Sequence, residues 1–169
     1  MSLENYLDKS LKLNKNRLEH SLKIGLDGEA LFKEITSAIK SEAAEDKKHI
    51  DFHWEGKKVD VKGLKKTQKL GYLLIEMINV YGGAGWCSKD SQAEYIAFQF
   101  PEKFLIFNKN TLRKKVIDLC EVYTQPLRKN RIPIEEGLYK WIGRYNRQDV
   151  FTYVKLSDVI DIVDYEIKY

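Results

Sequence analysis

Two carboxylates and one ammonium group stand close together in the segment from Ile50 to Gly63, Ile-Asp-Phe-His-Trp-Glu-Gly-Lys-Lys-Val-Asp-Val-Lys-Gly. Carboxylate oxygens are the ligands that a hard divalent cation prefers, and a neighbouring lysine offsets negative charge that develops on a reacting oxygen. Asp51, Asp60 and Lys62 are therefore candidates for a metal-assisted site. The strand period brings them together. Side chains alternate across a strand, so Val59 and Val61 share one face while Asp60 and Lys62 share the other, and Ile50, Phe52 and Trp54 send Asp51 and His53 the opposite way. Glu55 to Lys58 reads as the hairpin turn, with Gly56 free to take a positive φ. The alternative is the solvated face of a half-exposed antiparallel pair, where acids and lysines sit because water is there.

The order Asp51, then Asp60-Val61-Lys62, resembles the PD-(D/E)xK nuclease superfamily, with Ile50 where that family often has proline. Tyr72 to Asn79, the Gly85-Trp86 pair, Glu94 to Phe98 and Arg144 to Val150 are similar to later core segments of its small phage-type or junction-resolving members. The resemblance covers residues 28–160. It implies an α/β fold with a restriction-endonuclease-like core, a mixed central sheet flanked by helices in the order αβββαβ. It also implies a Mg²⁺-dependent DNA endonuclease, with Mn²⁺ as a substitute, in which Asp51, Asp60 and the Val61 carbonyl hold the ion and Lys62 orients the attacking water. An acidic residue early in the first helix commonly joins such a site; Glu29 is the natural choice, with Glu34 and Glu42 in reserve.

Glu76 interrupts the apolar run Leu73 to Val80, which predicts a central strand beside the one carrying Asp60. A charge there needs a partner, so Glu76 is either a third acidic ligand or water-positioning base, or the partner of a lysine such as Lys62. His49 and His53 are four apart, which on a strand separates them by about 13 Å and excludes a shared zinc ion. Trp86 is read as a loop anchor in preference to a stacking surface.

The remaining elements follow from periodicity. Residues 1–27 carry leucines at helical spacing, interrupted by Asn14-Lys15-Asn16 and Gly25, and form an N-terminal helical arm ahead of a single domain over 28–169. Leu31, Ile35, Ala38 and Ile39 predict a first core helix, capped by Asp27 and ending near Glu45. A basic loop spans Leu64 to Gly71, a glycine-rich loop Tyr81 to Gln92, and a second hairpin joins Ala93–Phe100 to Phe104–Phe107. Asn110 or Thr111 caps a helix to about Val122, residues 123–148 are loop-like, and a strand over Val150–Lys155 precedes a helix begun by Ser157.

With 169 residues, 43% hydrophobic, the chain has the size of one domain with a full core. It contains no apolar run of about eighteen residues and no leader pattern, so neither a membrane partner nor secretion is expected. Cys87 and Cys120 form no CxxC element and read as free thiols in a reducing, cytoplasmic setting. Net charge is only +4, but the cations cluster: Lys62, Lys65, Lys66 and Lys69; Arg113, Lys114 and Lys115; Arg128, Lys129 and Arg131; Lys140, Arg144 and Arg147. Such clusters around acidic ligands suit a phosphate backbone, and Lys65, Lys66, Lys69, Arg144 and Arg147 are the expected nucleic-acid contacts, with DNA preferred to RNA. Cutting both strands of a duplex takes two sites, hence an expected homodimer. The competing reading is a non-catalytic nucleic-acid-binding or interaction module that keeps the nuclease fold.

Overall fold

One uninterrupted helix, α1 (Leu3–Thr36), opens the chain. The computed structural model describes residues 3–121, 126–129 and 132–169, so Val122 and Arg131 lie outside the described residues. Neither Asn14-Lys15-Asn16 nor Gly25 breaks α1, and Asp27 lies inside it instead of capping it. A helix interior loses only about 1 kcal/mol to a glycine, less than the burial of a large apolar face returns. That face is Leu31, Phe32 and Ile35, which pack against a sheet. The helix stops at Thr36, well before Glu45, where Thr36 Oγ1 donates to the Phe32 carbonyl at 2.5 Å and Ser37 takes φ 56°. Ala38 is buried beyond the helix, whereas Ile39 is exposed on the short strand β1 (Ile39–Lys40).

After α2 (Ala43–Asp46) come β2 (Phe52–Trp54) and β3 (Lys57–Lys62), paired Phe52 to Val59 and Trp54 to Lys57. Their turn is shorter than expected, Glu55 and Gly56 alone. Both have positive φ, 48° and 74°, the two-residue geometry whose twist matches that of the strands. Next are α3 (Lys66–Lys69), within the expected basic loop, β4 (Tyr72–Ile78), β5 (Tyr95–Phe100) and β6 (Lys103–Asn108). The cap of α4 (Lys109–Leu119) is Asn108, whose side chain accepts from Asn110 N and Thr111 N. Short strands β7 (Leu127–Lys129) and β8 (Ile142–Arg144) lie in the segment read as loop. After β9 (Val150–Lys155), two 3-10 turns replace the expected last helix and lead into an unforeseen strand, β10 (Tyr165–Lys168).

These strands form two sheets. The larger has the order β1-β2-β3-β5-β6-β10, with β3 and β5 parallel and every other pair antiparallel; the smaller is β4-β9-β8-β7. The protein is thus α/β with mixed sheets, but helices alone do not flank the central one. Val59, Val61, Ala97, Phe104 and Ile106 face α1 and its Phe32. On the opposite face Ile96, Phe98, Leu105 and Phe107 meet α4 through Leu112 and Val116, and the second sheet through Leu73, Ile75 and Val154. Because β5 takes the place beside β3, β4 pairs with β9 and lies over the sheet.

Seating α1 requires missing side chains. A Cβ on Gly63, just past β3, would lie 2.1 Å from the Ile24 carbonyl oxygen, and one on Gly28 would lie 2.6 Å from Gly63 Cα. Backbone packs on backbone where α1 passes the end of β3, and Glu29 is one residue away. Among the described residues no helix is long and apolar enough to cross a membrane. Gly63→Ala should lower stability by about 1–3 kcal/mol through overpacking, whereas Gly25→Ala, with open space around it, should raise it by about 1 kcal/mol. Urea unfolding of the two variants checks both signs.

Candidate active site

The hairpin register, continued one residue past β2, sets Asp51 opposite Asp60. Asp51 N donates to the Val59 carbonyl at 2.9 Å, and Val61 N donates to Asp51 Oδ2 at 2.7 Å, so a side chain completes the ladder where the strand pairing ends. Asp60, between the buried Val59 and Val61, faces the space between the two sheets. It is only 2% exposed and Asp51 7%, so this is not a solvated polar face. Lys62 Nζ stands 2.6 Å from Asp60 Oδ1, with its side chain 22% exposed. The other oxygen, Asp60 Oδ2, is buried with no hydrogen-bond partner.

Burial and proximity govern these charges. Desolvation, then the Asp60 charge, pushes the Asp51 carboxyl up to about 7. Asp60 is also raised, by burial first, against the pull of Lys62. Desolvation works against the Lys62 ammonium too, but Asp60 and Asp51 outweigh it and hold Lys62 above the ordinary lysine value. One lysine does not neutralise two buried carboxylates, so the pair favours a proton or a cation.

Glu76 reaches this space from the second sheet, not from a strand beside β3. Burial raises its pKa, opposed by the charges of Lys62, Lys65, His49 and Arg144, in that order. Glu29 sits on α1 beside Gly28 and pairs with Lys40 at 2.5 Å, while its charge contributes to the rise at Asp60. Glu34 and Glu42 are exposed. His53 pairs with Glu45 at 3.0 Å, and the His49 ring meets the Ala84 carbonyl at 3.0 Å. The histidines have separate partners and share none.

The expected phosphate contacts divide. Lys65 belongs to the cationic rim: desolvation and then the Lys62 charge lower its pKa, and the Glu76, Arg144 and Asp60 charges also reach it. Arg144 Nε donates to the buried Asp149 at 2.5 Å, and its guanidinium lies 5.7 Å from the centre of the Phe151 ring. Lys66, Lys69 and Arg147 are exposed. Trp86 is buried with its ring 5.3 Å from Lys62 Nζ, and a Cβ on Gly85 would strike the Glu76 carbonyl oxygen at 2.6 Å.

Sequence reasoning passed over several supports. Buried Gln68 donates to the Gly63 carbonyl at 2.8 Å and Gln99 accepts from Leu64 N at 3.0 Å, fixing the chain just after Lys62. Asp149 and Arg128 pin the loop that carries Arg144. A glutamine in a basic loop and an aspartate before an apolar strand were the available signals.

Among the described residues no three His, Cys, Asp or Glu side chains converge into a ready metal cage. The acidic pair nevertheless fits a hard cation, because it supplies a buried, unpartnered oxygen at Asp60 and a carboxyl at Asp51 held above its ordinary pKa. Comparison with family models, curated proteins and solved structures finds no match to this chain.

The raised Asp51 pKa has a definite sign in stability. Below about pH 4 both folded and unfolded states carry the proton; as pH rises toward 7 only the unfolded state releases it freely, so folding weakens across that window. In cation-free buffer the urea midpoint should therefore fall between about pH 4 and pH 7, and Asp51→Asn should flatten the fall. An equal slope in the variant would place the titration elsewhere.

Proposed function

We propose that the chain is a metal-dependent endonuclease of the restriction-endonuclease-like class that hydrolyses phosphodiester bonds in DNA. The observation that carries this reading is the unpartnered Asp60 Oδ2, buried beside Asp51 and facing Lys62. Asp51 and Asp60, with the Val61 carbonyl, would hold Mg²⁺ or Mn²⁺. Bound there, the cation supplies positive charge to the scissile phosphate and acidifies a water.

The chain's own groups account for the rest. Lys62 leaves Asp60 for the reacting phosphate, where its ammonium stabilises charge developing on a non-bridging oxygen and orients the attacking water. Glu76, on the second sheet with its pKa raised by burial, accepts a hydrogen bond from that water or takes its proton. Lys65 and Arg144 lie along the same side and contact neighbouring phosphates, the latter held in place by Asp149. Glu29 acts through the field it imposes on Asp60. The expected cytoplasmic setting and homodimer belong to the same reading, since cutting a duplex on both strands calls for two sites.

One observation favours a non-catalytic module that binds nucleic acid or a protein: Asp60 already holds Lys62 in an ion pair. The two readings part on variants. Asp60→Asn should abolish cleavage of supercoiled and linear DNA while leaving the fold intact by circular dichroism. Lys62→Ala should slow cleavage by about 10²–10³-fold yet keep the heat of Mn²⁺ binding in calorimetry. Heat that persists unchanged in Asp51→Asn, or full activity in Asp60→Asn, removes the site from the reaction.

A further inference from the structure

Beyond the acidic pair, β4 continues into a loop with an unusual surface. Tyr81 stands at its tip, 88% exposed, and Tyr145 is 58% exposed on a separate turn. A single exposed tyrosine needs no explanation. These two, however, are displayed on backbone that is pinned from both sides. Asn79 Oδ1 accepts from Tyr81 N at 2.9 Å and from Gly83 N at 3.1 Å, and Asn79 Nδ2 donates to the Ala84 carbonyl at 3.1 Å. Across from it, the Arg128 guanidinium donates to the carbonyls of Arg147 at 2.7 Å and Asp149 at 3.0 Å, fixing the turn that presents Tyr145.

The two segments touch. Gln148 N donates to the Val80 carbonyl at 3.3 Å, and the Gln148 side chain lies so close to Gly82 that a Cβ there would meet its Oε1 at 1.9 Å. Tyr81 and Tyr145 thus flank one ledge. It begins three residues after Glu76, about 10 Å along β4, and its Tyr145 side starts at Arg144, whose charge also reaches Glu76 and Lys65. Among the described residues neither ring has an aromatic neighbour and the Arg147 guanidinium has no carboxylate partner.

We propose that this ledge stacks unpaired bases, so that the substrate of the acidic site is a DNA strand with single-stranded character beside the bond to be cut. Rigid rings next to cations are the arrangement that holds single strands: the π-faces accept any base, and the cations follow the backbone. Paired bases in a duplex are stacked on each other and offer no free face. The inference rests on the nuclease reading for the identity of the neighbouring site but uses none of its chemistry.

Binding therefore tests it without cleavage. In buffer with EDTA, fluorescence anisotropy is measured on a labelled homothymidine strand and on a blunt duplex of the same length, at one fixed salt concentration. Tyr81→Ala and Tyr145→Ala should each weaken single-strand binding by about 5- to 100-fold and leave duplex binding within about twofold. The phenylalanine variants should restore it, because they keep the ring. Equal losses on both DNAs, no loss on either, or no binding of the single strand by the unaltered protein would each overturn the ledge. Selective loss in a protein that cleaves nothing with Mg²⁺ or Mn²⁺ would uphold the ledge and sink the nuclease, so the two failures are distinguishable.

Discussion

Asp51 uses one carboxylate oxygen to complete the strand ladder at Val61, and the Asp60 carboxyl, hydrogen-bonded to that of Asp51, keeps one oxygen buried off the Lys62 contact. Two acids in so dry a space repel each other and resist ionisation, and the single lysine beside them offsets only part of that. A buried acidic pair of this kind costs folding energy. The charges gathered around the pair, Lys62 in contact and Lys65 and Arg144 farther out, act against that repulsion.

The larger sheet supplies the rigidity. β3 is held by a two-residue turn to β2 on one side and by a parallel pairing to β5 on the other, so Asp60 and Lys62 point the same way at fixed spacing. Past its end, Gly63 lets the α1 backbone come against the strand. Gln68 and Gln99 then hold the exit. The second sheet closes the space from above, bringing Glu76 and Arg144 on strands that never pair with β3. The site is therefore assembled between two layers, with Asp51, Asp60 and Lys62 from the β2–β3 hairpin of the larger sheet and Glu76 and Arg144 from the second.

Much of the local order could be read from residue types. The β2–β3 hairpin, the buried Val59 and Val61, the β5–β6 hairpin and β9 all follow from alternation and turn chemistry, which act over a few neighbours. Asn14-Lys15-Asn16 and Gly25 misled because helix propensity is a weak preference, overridden in α1 by packing against the sheet. The α4 cap fell two or three residues earlier than expected, at Asn108 and not at Asn110 or Thr111, since several adjacent polar residues compete for that role. β10 gave no usable signal: Tyr165 to Lys168 is short and half exposed, and becomes a strand by adding to the edge of β6.

By itself the sequence determined that Asp51, Asp60 and Lys62 would meet, because a tight turn between alternating strands leaves little choice of register. The tertiary structure alone decided that the meeting place is buried, that β4 lies over the sheet instead of within it, and that the Arg144 charge reaches Glu76. Those outcomes depend on contacts between residues far apart in the chain. Strand pairing in the larger sheet, where β5 occupies the position beside β3, sends β4 to β9 and sets Glu76 in the layer over Asp60; no local pattern of polar and apolar residues encodes that choice.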